Sequence, residues 1–356
     1  MNLHYGSYLQ LDKILQAQDL ESAKTSKVSH DEHLFIVVHQ VYELWFKQVI
    51  FECQSIQKIL ARVPLPESDL ITVLNRMNRC NSLWPILMDQ IKVMETMTPM
   101  DFLDFRHLLY PASGFQSLQF RLLETMFGLK EEQRSSEEKA YFNSRLTVPE
   151  KEELTKLQKQ KNLKELLDDW LCRMPFISGP EDLYWKKYQQ QVEKHLELDR
   201  ETIKQHHYLN EDQKLQQIAL LNKQLESFKQ LFDKNAYKEL LSSQQVSFSQ
   251  DALLCALFIL LHRQEPLLQI PFKIIQSFIE FDTSLTSWRH AHSLMAQKML
   301  GKKIGTGGSS GSDYLLQTAL RHRLFADFMN LSNFLLPSSF IPELSSEIKE
   351  KMNFKY

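Results

Sequence analysis

Nine glycines serve 356 residues, and five of the nine fall between positions 301 and 311. Glycine is the residue that lets a backbone take positive φ at little cost, so a chain this poor in it makes few tight reversals. That argues against an all-β fold with many hairpins and against a fold built on glycine-rich nucleotide loops. The hydrophobic pattern points the same way. Apolar residues recur at spacings of three and four almost throughout, which is the helical period. No segment alternates as a convincing strand and no internal repeat is visible, so the expected fold class is all-α.

From His30 to about Ala61 the apolar positions cover nearly the whole helix circumference, the mark of a helix buried in a large protein. A second helix is expected from Ser68 to about Thr98, with Pro85 as a kink or break, and a third element starts near Asp101. The segment 111–117 reads as a turn into a new helix, because Ser113 and Gln116 have capping-box spacing. Residues 130–245 are rich in Lys, Glu, Gln and Leu and read as a more solvated helical layer. Further helices are expected at about 271–281, 288–300 and 314–334. The apolar stretches 30–125 and 250–335 are expected to build one core, giving a single domain over 1–356.

Charge and cysteine content remove several functions. Lys+Arg of 42 against Asp+Glu of 44 gives a net charge of −2, so neither nucleic acid nor a membrane surface is an expected partner. Cys53, Cys80, Cys172 and Cys255 lie far apart with no C-x-x-C pair, which fits reduced thiols rather than a zinc cluster or a disulfide framework. The N-terminus lacks the shape of a signal peptide, and the longest clean apolar run, 253–261, is too short to span a bilayer. A soluble, cytoplasmic protein is expected.

Four places carry chemical interest. Phe35, His39, Tyr42 and Phe46 form one helical stripe, where His39 could hydrogen-bond a ligand, act as a base or bind a metal; a core histidine satisfied by a backbone carbonyl is the plainer reading. His290 and His292 point about 200° apart on a helix, so they cannot serve one site. The face of His292 continues through Met295, Ala296 and Met299 and suits a flat macrocycle, whereas that of His290 continues through Leu294, Gln297 and Lys298. If either ligates a haem iron it is His292; both could equally be surface histidines. Phe102 and Arg106 share a face, and the arginine could fork onto a substrate carboxylate or pair with Asp101 or Asp104. The run Gly305–Gly311 lacks the lysine of a phosphate loop and reads as a loop that closes over a polar part of a ligand.

Taken together, these segments resemble the tryptophan 2,3-dioxygenase family. The matching pieces keep their order and spacing: Tyr5-Gly-Ser-Tyr8-Leu-Gln-Leu11, the run from His30 through His39-Gln40 to Tyr42-Glu-Leu-Trp-Phe-Lys-Gln48, Asp104-Phe-Arg106, 111–121, Trp288-Arg-His-Ala-His292, Met299-Leu-Gly301, 305–311 and Asn330-Leu-Ser332. The middle, about 130–245, matches only in helical character. Many members carry threonine where Val38 stands and an aromatic where Ser312 stands, and several bacterial members have tyrosine at the position of Phe102.

The resemblance implies an all-α enzyme with one haem b per subunit. Such an enzyme inserts both atoms of O2 into L-tryptophan to give N-formylkynurenine, the first step of tryptophan catabolism by the kynurenine route. It implies His292 as the axial iron ligand, with Ser113 and Trp288 beside the haem, and His39 as the catalytic residue that takes the indole N–H. Phe35 and Phe102 would lie against the ring, Arg106 would hold the carboxylate, and Thr306 would receive the ammonium group with a haem propionate. It further implies a homotetramer, a dimer of dimers, in which residues 1–25 dock on a neighbour and Tyr5, Tyr8 and Leu9 complete that neighbour's pocket. A related histidine-ligated haem monooxygenase, and a non-enzymatic helical scaffold or haem sensor, are the competing readings.

Overall fold

The structure, a computed structural model, describes residues 3–134, 139, 146–176, 179–301, 315–318 and 321–352. Among these residues all regular structure is helical. In chain order the α-helices are α1 (Tyr5–Leu9), α2 (Leu11–Leu15), α3 (Asp31–Leu60), α4 (Glu67–Met94), α5 (Pro99–Arg106), α6 (Leu118–Met126), α7 (Val148–Gln158), α8 (Leu163–Cys172), α9 (Leu183–Gln205), α10 (Glu211–Phe232), α11 (Lys234–Ser242), α12 (Gln250–Leu261), α13 (Gln269–Leu300), α14 (Ala326–Asn330) and α15 (Ser346–Met352). Short 3-10 turns join several of them.

Three expected boundaries move, each for a local reason. The second helix stops at Met94 rather than Thr98 and runs unbroken through Pro85. Thr98 instead opens α5: its hydroxyl accepts from the Asp101 N–H at 3.3 Å, and the Asp101 carboxylate accepts from the Thr98 N–H at 3.0 Å. The two helices expected at 271–281 and 288–300 are one, α13. The polar stretch between them breaks nothing, because Thr286 and Ser287 donate their hydroxyls back to the carbonyls of Asp282 and Thr283. The helix expected from 314 to 334 is interrupted. Asp282 takes the Leu324 N–H at 2.9 Å and the Arg323 Nε at 3.2 Å, and the helix resumes only at Ala326.

Contacts divide the chain into two compact units. The first comprises residues up to Ser55, Arg76–Asn162 and Glu280–Leu324. In it α3 and α4 run antiparallel: Arg76 bonds Ser55, Arg79 bonds the buried Glu52 at 2.7 Å, and the Tyr42 hydroxyl donates to the Leu87 carbonyl at 2.7 Å. By length and mean hydropathy α3 would suit a membrane span, though it carries Glu43, Lys47 and Glu52 in its middle. A buried ionic knot fixes α6 to α13, with Glu124 taking Arg289 at 2.5 Å and Arg134 at 2.7 Å.

The second unit comprises Ile56–Asn75, Leu163–Ile279 and Phe325 onward. Its centre is α12, buried from Ala252 to Leu261. Two carboxylates, the half-buried Asp168 and the buried Asp327, hold the chain that enters α12. Asp168 accepts the Ser249 N–H and hydroxyl, and Asp327 accepts the N–H groups of Ser247 and Phe248. In α9 a single face is buried, through Tyr184, Trp185, Tyr188, Val192 and Leu196, while the rest of the helix faces water. All four cysteines are free thiols.

Candidate active site

The aromatic stripe of α3 packs against α5. Phe35 and His39, one turn apart, bring their rings to 4.1 Å between centroids. Phe102 from α5 stacks on Phe35 at 5.6 Å, and Phe105 meets both edge-on at 5.6 and 5.5 Å. Behind them Val38, Met94, Met97, Phe105 and Met299 form a buried cluster, with Leu34, Met295 and Leu300 packed against it. Three stretches far apart in sequence therefore share one apolar wall, because each presents a helical face of the same character.

His39 is the polar exception in that wall. Its Nδ1 lies 2.7 Å from the Phe35 carbonyl, which only accepts, so Nδ1 carries the proton and donates. The other nitrogen, Nε2, is left with a lone pair. The ring is solvent-accessible, yet its pKa is held below the ordinary value by burial, against which the Phe35 bond works. The satisfied backbone partner that a core histidine would have is present, and it accounts for only one of the two nitrogens.

On α13 the structure separates the two histidines as helix geometry requires. His290 is exposed, while His292 is partly buried and lies parallel to Trp288, with ring centroids 5.3 Å apart and an interplanar angle of 9°. Burial pushes the His292 pKa down to about 4, with repulsion from His39 as the second cause. Both imidazoles are shifted towards the neutral form. Trp288 sits in an aromatic nest of Tyr42, Phe46, Trp84 and Phe120, at 5.4–6.4 Å. The Tyr42 hydroxyl is pushed up to about 12 by burial. Sequence pattern placed Tyr42 and Phe46 on the stripe without this role; the i, i+4 spacing of Trp288 and His292 was the one local signal of the stack.

Arg106 ends α5 one turn beyond Phe102 and is partly buried. Of the nearby carboxylates, Asp101 is engaged by Thr98, and Asp104 takes Lys27 Nζ at 2.9 Å. Ser113 lies in the turn before α6, where its N–H donates to Gln116 Oε1 at 2.9 Å, as the capping spacing predicts. Tyr5, Tyr8 and Leu9 lie on α1, which buries none of its residues, and their side chains stand in solvent rather than at this wall. Thr306, Ser312 and the run 305–311 lie outside the described residues.

The donor set suits one kind of metal binding. Among the described residues no group of three or more His, Cys, Asp or Glu could hold an ion unaided. A single neutral imidazole on an apolar wall instead suits an ion whose remaining ligands come from a macrocycle. The acceptor His39 Nε2 suits a ligand with one N–H in an otherwise apolar ring.

Comparison with known proteins gives the same direction. The family model for tryptophan 2,3-dioxygenase matches residues 1–335. The chain is 42% identical to the tryptophan 2,3-dioxygenase of Bdellovibrio bacteriovorus over 354 residues, covering 99% of both chains. It is 42% identical to that of Alteromonas mediterranea, over 99% of this chain and 97% of the relative. It is 40% identical to that of Dictyostelium discoideum, over 99% and 89%. With the apolar wall, the two desolvated imidazoles and a match of this extent, the chain belongs to the tryptophan 2,3-dioxygenase family.

Proposed function

We propose that this chain is a haem-dependent dioxygenase that opens the indole C2–C3 bond of L-tryptophan with O2, placing both oxygen atoms in N-formylkynurenine. The observation that carries the reading is a desolvated His292 stacked on Trp288, together with His39 beside Phe35 and Phe102 with its Nε2 left as an acceptor.

His292 would hold the haem iron through its neutral imidazole, with Trp288 against its ring and Ser113 at the haem edge. When bound, the haem supplies O2 binding and activation, chemistry that no side chain performs. The residues of this chain do the rest. His39 accepts the indole N–H at Nε2, because Nδ1–H is committed to the Phe35 carbonyl. That bond fixes both tautomer and ring orientation, so the indole is held in one pose. Phe35 and Phe102 cover its faces and exclude water. Arg106 forks onto the carboxylate, and Thr306 receives the ammonium group. His39 with its lowered pKa stays an acceptor rather than becoming a competing cation.

The exposed Tyr5, Tyr8 and Leu9 serve a neighbouring copy's pocket in a homotetramer, and the enzyme works in the cytoplasm. The apolar exposure of α1 supports this reading, since Tyr5 is 72% and Tyr8 67% exposed. The test is an absorption spectrum of reduced, haem-supplemented protein before and after L-tryptophan is added in air. A Soret band with growth of N-formylkynurenine is expected. A product with one added oxygen atom would assign a monooxygenase, and no Soret band after reconstitution would overturn the role of His292.

A further inference from the structure

The N-terminal segment poses a mechanical question. Helices α1 and α2 bury nothing, and Leu15 is 71% exposed. An apolar arm without its own packing takes its direction from whatever holds its root. That root is held by polar contacts to α3. The Gln40 amide uses both ends: its Nε2 donates to the Ala17 carbonyl at 2.8 Å, and its Oε1 accepts from Gln18 Nε2 at 2.7 Å. Gln18 Nε2 also reaches the Ile14 carbonyl at 2.8 Å, which closes the end of α2 onto the same clamp. About two turns further back the fully buried Glu32 carboxylate accepts the N–H groups of Glu21 and Ser22 at 2.8 and 2.9 Å. Ser22 in turn accepts from the Ser29 N–H at 3.0 Å.

The two clamps differ in what they specify. Glu32 fixes the loop that leads into α3, a local task. Gln40 fixes the point at which the arm leaves the body, and it follows His39 directly on the helix. Adjacent helical residues point about 100° apart, so one turn of α3 offers His39 to the pocket and Gln40 to the arm. An amide serves here where a carboxylate or a hydrocarbon does not. The site needs one donor for a backbone carbonyl and one acceptor for a side-chain amide, in a fixed order.

We propose that Gln40 is a positioning residue for substrate binding: it fixes the root of the N-terminal arm so that Tyr5, Tyr8 and Leu9 reach the pocket of a second copy of this chain. The inference rests on the shared-pocket reading above. It assigns Gln40 an effect on how tightly tryptophan is held and little on the chemistry once it is bound.

The experiment compares holoenzyme with Gln40→Met, Gln40→Glu and Gln18→Met. One readout is the rate of trypsin cleavage after Lys13, which lies in α2 and is exposed. The other is KM and kcat for L-tryptophan. Gln40→Met, which keeps length and loses both hydrogen bonds, should speed cleavage at Lys13 and raise KM, each about tenfold, with kcat within about twofold and the Soret band unchanged. Gln18→Met, a change on the arm itself that leaves the body intact, should move both readouts the same way. Gln40→Glu keeps the acceptor and loses the donor, so it should fall between. Unchanged cleavage in Gln40→Met and Gln18→Met would overturn the anchor. Faster cleavage with unchanged KM would overturn its link to substrate. Deleting residues 1–10 tests the shared pocket separately: an unchanged KM there defeats that reading, while the cleavage result still judges the anchor.

Discussion

Lowering the pH is the perturbation that reads most directly on the desolvation of His292. His292 must be neutral to donate to a metal, and burial moves its pKa from 6.5 to about 4. An imidazole at 6.5 would be about nine-tenths neutral at pH 7.5 and only about 3% neutral at pH 5, an affinity loss of about thirtyfold from proton competition alone. An imidazole at about 4 is still about nine-tenths neutral at pH 5, so haem affinity should fall by less than about twofold. The linkage has the opposite face in the haem-free protein. The folded pKa lies below the unfolded one, so below pH 6.5 the unfolded chain binds the extra proton first. The contribution is present in full above 6.5 and is lost as pH falls towards 4. Between pH 7.5 and 5 the loss comes to about 2 kcal/mol. His262 is shifted by burial in the same sense, also to about 4, so the quantity to measure is the difference between wild type and His292→Gly. Urea unfolding of the haem-free proteins at the two pH values gives the stability difference. Soret titration of wild type, and of His292→Gly supplied with free imidazole, gives the affinity. If wild-type haem affinity fell as steeply as that of the imidazole-supplied variant, the desolvated-ligand argument would be wrong.

Three other outcomes are expected. Arg106→Leu should raise KM for L-tryptophan at least about a hundredfold, because a carboxylate pair lost from a dry pocket costs about 3–5 kcal/mol; steady-state kinetics showing an unchanged KM would remove Arg106 from that role. His39→Ala should keep its haem and lose about five- to 150-fold in kcat/KM, the 1–3 kcal/mol of an indole N–H left without its acceptor, and a variant with wild-type kcat/KM would contradict the assignment. Removing residues 1–10 should lower activity while the Soret band persists; full activity in the truncated protein would show that each pocket is complete within its own chain.

The local pairs of the candidate site are legible in the sequence, for a physical reason. Phe35 and His39, Phe102 and Arg106, and Trp288 and His292 are i, i+4 pairs, and a helix alone brings such pairs together. The same geometry separated His290 from His292, and the structure leaves the first exposed and the second desolvated. Element ends were less legible. Thr98 caps a new helix instead of ending the old one, and Asp282 interrupts the helix near 324 through bonds that span about forty residues, which no local window contains.

The all-α class and the aromatic stripe of α3 follow from the order of residues, because glycine scarcity and the 3.6 period are properties of the chain itself. The stack of Phe102 on Phe35, the nest of Tyr42, Phe46, Trp84 and Phe120 around Trp288, and the clamp of Gln40 on Ala17 and Gln18 belong to the tertiary structure. So does the tautomer of His39 in its final meaning. The Phe35 carbonyl is a neighbour in any helix, but only the packing around α3 desolvates the ring and leaves the remaining nitrogen as an acceptor beside an apolar wall. Helix period acts over four residues, whereas desolvation is set by everything that packs within reach, and that is decided when the chain folds.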